Sequence, residues 1–89
     1  MESDLMEFYG AECPTCKEIE KHLQRLQEEE GIEVTRFEVW HNAINQSIMM
    51  KYAKSRCMGV PFLFNKKNES FLCGLNDYDA IKKWAKGEK

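Results

Sequence analysis

The sequence predicts an α/β fold of order β-α-β-α-β-β-α. Three observations carry that prediction: short apolar runs alternate with stretches of helical periodicity, turn or capping residues mark the junctions, and the length suits one hydrophobic core. The chain has 89 residues, and a second core would leave each half at a size where disulfides or metals must stand in for burial. A single domain over residues 1–89 is therefore expected. With 43% hydrophobic and 31% charged residues, the balance is that of a folded globular chain rather than a disordered, collagen-like or coiled-coil one.

The run from Leu5 to Tyr9, closed by Gly10, reads as a buried first strand. From Pro14 onward Ile19, Leu23 and Leu26 recur at spacings of four and three among Lys, Glu and Gln, which is the apolar stripe of an amphipathic helix. Pro14 suits its first turn, where no backbone donor is needed, and Gly31 is a natural stop. The triplet Glu28-Glu29-Glu30 reads as a solvated helix end. Ile32 to Trp40 has the β-branched and aromatic content of a second strand. Asn42 can cap a second helix with Ile44, Ile48 and Tyr52 inward and Met49 and Ala53 beside them. The pair Met49-Met50 is expected to fill core space. Phe62 to Phe64, a turn at Asn65 to Asn68, and Phe71 to Cys73 read as a hairpin closed by Gly74. Asp77 then caps a last helix with Ile81, Trp84 and Ala85 inward.

Composition removes several classes of function. A net charge of −2 without a basic stripe argues against nucleic acid, whose phosphates need clustered Lys and Arg. The longest apolar stretch, Cys57 to Phe64, is broken by Gly59 and Pro61 and falls far short of the ~20 residues of a membrane span. The acidic start Met1-Glu2-Ser3-Asp4 is unlike a signal peptide, so a cytoplasmic location is expected. Cysteines stand at positions 13, 16, 57 and 73. An even count can mean two structural disulfides, but that reading belongs to secreted chains. A zinc site would want a second close pair, which Cys57 and Cys73 do not make. His22 and His41 lie at no metal-ligand spacing and read as solvent-facing, so no metal site is expected.

One close pair remains, Cys13-Pro14-Thr15-Cys16, placed after a strand and at the start of a helix, with Val60-Pro61 ahead of the hairpin. The segment Glu7-Phe8-Tyr9-Gly10-Ala11-Glu12-Cys13-Pro14-Thr15-Cys16-Lys17 resembles that of thioredoxins, in which an acid, Phe and an aromatic precede the dithiol and Lys follows it. Gly59-Val60-Pro61 is similar to the family's Gly-Ile-Pro, and Gly74 falls where thioredoxins place a glycine near the site. The chain is shorter than a thioredoxin, and Glu12 stands where that family has Trp. Its size is that of a glutaredoxin, yet Glu12 and Cys73-Gly74 replace that family's basic residue and Gly-Gly pair. Asn76 and Asp77 stand where a glutathione backbone can be met. The resemblance implies a thioredoxin-like fold, a four-stranded mixed sheet with three flanking helices. It also implies a monomeric thiol–disulfide oxidoreductase without a cofactor, acting on protein disulfides through a mixed disulfide. Electrons would come from a thioredoxin-reductase-type donor or from glutathione. The alternative is a binding module in which two chains share an iron–sulfur cluster or a soft metal through Cys13, Cys16 or both.

A thiol attacks a disulfide as its thiolate, and the free amides and dipole of a helix N-terminus favour that form. Cys13 occupies that position and reads as the nucleophile, with Cys16, one turn further in, as the resolving thiol. Pro14 and Thr15 shape the turn between them. Glu12 opposes a neighbouring thiolate and Lys17 favours it, unless both are merely solvated charges. Glu7, on a strand covered on both faces, should have a raised pKa; it matches the family's buried acid and exchanges a proton with Cys16, or else reaches solvent from the strand end. Val60-Pro61 is expected to be cis, with Gly59 and Val60 offering main chain to an extended substrate beside Cys13. Tyr9 and Phe62 either rim the groove or pack inside. Cys57 and Cys73 are expected to be buried, inert core thiols.

Overall fold

The computed structural model describes residues 4–54 and 56–87; Met1-Glu2-Ser3, most of the acidic start, lies outside the described residues. The elements run β1 (Leu5–Tyr9), α1 (Pro14–Glu30), β2 (Thr35–Glu38), α2 (Ala43–Ala53), β3 (Phe62–Asn65), β4 (Ser70–Cys73) and α3 (Tyr78–Ala85). The sheet has the order β2-β1-β3-β4. β1 and β2 are parallel, with Glu7 opposite Arg36. β3 runs antiparallel to β1, with Phe62 opposite Phe8, and β4 antiparallel to β3, with Cys73 opposite Phe62. The sheet is thus mixed and four-stranded, flanked by three helices.

The helix ends follow from their local chemistry. The Cys13 sulfur caps α1, and Gly31 closes it in the left-handed region at φ 66°. Asn42 and Asp77 cap α2 and α3 with side-chain oxygens that accept the amides of Asn45 and Ala80. These caps satisfy amides that a helix start leaves without internal partners.

Because side chains alternate along a strand, β1 splits its residues between two cores. Leu5 joins Leu63, the stripe Ile19, Leu23 and Leu26 of α1, and Ile81 and Trp84 of α3. Met6 and Phe8 join Phe62, Phe64, Met49, Ala53 and Cys57 on the α2 face. By the same alternation Glu7 and Tyr9 share the α1 face with Leu5. Strand β1 is covered on both faces, Leu5 through Phe8 being buried.

Four expectations need correction here. Ile44, placed on the inner stripe of α2, is 74% exposed, while Met49 and Ala53 carry the contact and Ile48 and Tyr52 only flank it. The helix therefore meets the sheet about one position round from the expected stripe, and Met50 faces outward at 68% exposure. The second strand is also shorter than the Ile32 to Trp40 run, since only Thr35–Glu38 pairs with β1. Finally, Glu29 and Glu30 are not simply solvated. Glu29 accepts hydrogen bonds from Arg25 and the Tyr78 hydroxyl, and Glu30 pairs with Lys82 and Lys86, tying the end of α1 to α3 and the residue after it.

Candidate active site

The dithiol lies where the chain leaves β1 and enters α1. The Cys13 amide donates to the Gly10 carbonyl at 3.0 Å, closing a tight turn. The Cys16 amide donates to Cys13 Sγ at 3.2 Å. Such a bond is stronger to a thiolate than to a thiol, so the first turn of α1 is built to receive charge on the Cys13 sulfur. Both cysteines are free thiols and buried, at 5% and 3% exposure. Between them, Pro14 is exposed and Thr15 half-buried. Burial, followed by the hydrogen bond with Cys13, pushes the Cys16 thiol up to about 12. Cys16 is thus held protonated near neutral pH.

Glu7 is 2% exposed. Burial, reinforced by the charge of Glu20 and opposed by Arg36, raises its carboxyl to about 7. Glu7, Tyr9, Cys16, Lys17, Glu20 and Arg36 line one cavity of about 350 Å³. Strand alternation explains the grouping: Glu7 and Tyr9 face α1, and so does Arg36, the β2 partner of Glu7. Arg36 is clamped to Glu20 by two bonds of 2.6 and 3.0 Å.

Several contacts at the rim escape a reading by spacing. Glu12 pairs with His41 at 2.7 Å. The hydrogen bond to Glu12 and then its charge raise the His41 pKa, so Glu12 is offset by a partner from the loop before α2. Glu38 accepts three amides, those of Ala11, Trp40 and His41 at 3.0, 3.1 and 2.8 Å. Burial alone would raise its pKa, but these amides together hold it below the usual carboxylate value. That carboxylate fastens the loop before Cys13 to the loop after β2. Trp40 then lies against Gly10 so closely that a Cβ there would run into the indole. An aromatic ring is therefore supplied beside the dithiol loop from a distant segment, although Glu12 occupies the position before Cys13.

On the other side, the Val60–Pro61 peptide is cis, as expected, and Gly74, at φ 83°, donates its amide to the Pro61 carbonyl at 2.9 Å. Gly59 is exposed and Val60 half-buried. Phe62 does not rim a groove. It is fully buried, at 0% exposure, and stacks on Phe8, because its register opposite Phe8 turns it to the α2 face, away from Cys16 and Glu7. Asp77 is engaged in capping α3, and Asn76 donates to the Gly74 carbonyl. His22 is half-buried against the Tyr78 ring rather than solvent-facing.

The reading of Cys57 and Cys73 as inert thiols is also overturned: they are joined in a disulfide. Cys73 lies opposite Phe62 and so faces α2, the face to which Cys57 brings the connection out of that helix. Cys57 is buried, but Cys73, on the edge strand, is exposed. Among the described residues no group of three or more His, Cys, Asp or Glu side chains gathers to hold a metal, and no helix is long and apolar enough to cross a membrane.

A mixed four-stranded sheet, three helices and two cysteines brought together where the first helix begins define a thioredoxin-like fold. Solved structures agree. The chain is similar to a thioredoxin from Halobacterium salinarum NRC-1, with a TM-score of 0.73 and 28% identity over 96% of this chain and 74% of that one. It is also similar in fold to a thioredoxin-like protein from Clostridium perfringens, with a TM-score of 0.72 and 22% identity over 93% of this chain and 68% of that one. A further thioredoxin-like protein matches with a TM-score of 0.69 and 10% identity over 97% of each chain. No protein-family model matches the sequence, and no curated protein matches it.

Proposed function

We propose that the chain is a thiol–disulfide oxidoreductase that reduces or exchanges protein disulfides. The observation that carries this reading is the asymmetry of the two thiols. The Cys13 sulfur caps α1 and accepts the Cys16 amide, whereas Cys16 is held protonated behind it in the cavity that also holds Glu7. Cys13, as thiolate, attacks a substrate disulfide, forming a mixed disulfide and expelling one substrate thiolate. Cys16 must then lose its proton and attack Cys13 Sγ, which releases the second substrate thiolate and leaves a Cys13–Cys16 disulfide. With a pKa of about 7, Glu7 is part ionised near neutral pH and takes up that proton within the cavity. Arg36, clamped by Glu20, places a positive charge on the same side of the cavity and keeps the Glu7 carboxylate accessible.

Tyr9, Pro14 and Thr15 border the dithiol, and Gly59, Val60, Pro61 and Gly74 form the main-chain edge against which an extended substrate segment pairs. Two electrons return from a thioredoxin-reductase-type donor or from glutathione. The chain acts in this reading as a monomer in the cytoplasm.

The test is trapping. Cys16→Ser should accumulate a mixed disulfide with a protein disulfide substrate, seen by mass, because attack proceeds and resolution does not. Cys13→Ser should neither trap nor turn over. Trapping by Cys13→Ser alone would exchange the two roles, and trapping by neither would remove the activity.

A further inference from the structure

We propose that Cys57 and Cys73 form a second redox centre, opened by a dithiol at the Cys73 sulfur, whose state governs how firmly the Gly59-Val60 main chain is held for a substrate. Its effect on turnover rests on the dithiol reading above; its existence as a redox centre does not.

Access comes first. The disulfide joins residues 16 apart in sequence, one end buried and the other exposed on the edge strand. A nucleophile from solvent therefore meets Cys73 Sγ, and Cys57 is the leaving sulfur. The thiolate of the dithiol bonds to Cys73 and expels the Cys57 thiolate. The second thiol of the reductant, as thiolate, then attacks the mixed disulfide, leaving as a cyclic disulfide and freeing the Cys73 thiolate. Two electrons have passed from reductant to protein, and two protons complete the thiols. The apolar surroundings of Cys57, among Met49, Ala53 and Phe62, disfavour its charged form and drive that protonation.

Coupling to the site comes next. The segment from Met58 to Pro61 is anchored at both ends to the same stretch of chain: Cys57 is bonded to Cys73, and the Pro61 carbonyl accepts the Gly74 amide. Reduction removes the first anchor and leaves the second. Cys57 Sγ also lies 3.2 Å from the Gly59 carbonyl oxygen. As a disulfide this sulfur has no hydrogen to give, while as a thiol it donates to that carbonyl. The Gly59–Val60 peptide thus changes partners with the redox state. Cys57, Met58 and Val60 moreover wall an open groove of about 300 Å³ that Trp40 and Met50 complete. Met58 and Met50 are 92% and 68% exposed there, adaptable apolar groups suited to an entering side chain. The oxidised pair holds wall and main chain ready, and the reduced pair loosens both, so substrate binding should respond more than chemistry.

The experiment separates the parts. In the Cys13→Ser/Cys16→Ser chain, dithiothreitol should yield two alkylatable thiols per molecule by mass while circular dichroism remains native. Hydrogen exchange at the Gly74 amide, which donates to the Pro61 carbonyl, should accelerate at the same time. With the dithiol intact, Cys73→Ala should raise KM for a protein disulfide about 3- to 10-fold over the oxidised wild type, with kcat changed less than about 2-fold. Alkylation only after global unfolding would make the pair a plain crosslink and overturn the proposal. So would reduction that changes neither exchange nor KM. Absence of turnover in wild type and variant alike would refute the dithiol reading instead, and the mass and exchange results would still decide the second centre.

Discussion

The two sulfur pairs lie toward the same end of the sheet, where β1, β3 and β4 meet the loops, but on opposite faces and in opposite chemical settings. Cys13 and Cys16 are one helical turn apart, with an amide aimed at the outer sulfur and a carboxyl sharing the cavity of the inner one. Cys57 and Cys73 come from a connection and an edge strand and meet over apolar packing. A reactive thiol needs a stabilised charge and a nearby group to trade a proton with. A crosslink needs only two sulfurs brought into position. The molecule therefore gives its two pairs different surroundings: the α1 face sets titratable groups around its dithiol, and the α2 face sets a crosslink against apolar side chains.

Removing each pair in turn should break this symmetry most visibly in stability. The disulfide closes a loop across 16 residues, so Cys57→Ser/Cys73→Ser should lose about 3 kcal/mol. In a domain of this size that lowers Tm by on the order of 15 °C. Cys13→Ser/Cys16→Ser should stay within about 1 kcal/mol of the reduced dithiol form, because no covalent constraint is lost. Calorimetry on both variants measures the contrast, and equal losses would erase it.

Glu7→Gln touches the dithiol face alone. With Cys16 in place, resolution of the mixed disulfide should slow roughly 10- to 100-fold, with its formation little changed, since only resolution requires the Cys16 proton to move. Stopped-flow measurement of the two steps distinguishes this from a structural effect, which would slow both. Stability supplies a second readout. The folded-state pKa of Glu7 is raised from 4.5 to about 7, so the folded state holds the proton more tightly than the unfolded one. Its contribution is fully present below about pH 4.5, is lost as pH rises through about 7, and changes no further above that. The wild type should lose about 3 kcal/mol across that window. Glu7→Gln should flatten the profile in urea unfolding at pH 5 and pH 8.

The smallest effect concerns the electron donor. Glu12 is on the dithiol side and offers the wrong charge to the carboxylates of glutathione, though its pairing with His41 softens this. Glu12→Lys should raise the ratio of glutathione-supported to reductase-supported initial rates by less than about 10-fold, the size of one exposed charge pair. A wild-type preference for glutathione, unchanged in the variant, would place the chain functionally with glutaredoxins.

Features that depend on neighbours three or four residues away could be read from the chain alone. The stripe Ile19, Leu23 and Leu26, the caps at Asn42 and Asp77, the stop at Gly31 and the spacing from Cys13 to Cys16 are all of this kind, because one helical turn brings such residues together whatever the rest of the chain does. At Glu7 the sequence left two outcomes open, a buried acid on a strand covered on both faces or a strand-end carboxylate reaching solvent, and the packing of α1 against β1 chose burial. The remaining features arise where distant segments meet in the fold. Register across β1, β3 and β4 turned Phe62 into the core and Cys73 toward Cys57. The docking of α2 chose Met49 over Ile44. Loop against loop brought His41 to Glu12 and Trp40 onto Gly10. These contacts join segments far apart in the chain, and a one-residue shift in pairing exchanges the two faces of a strand, so no spacing within one segment encodes them.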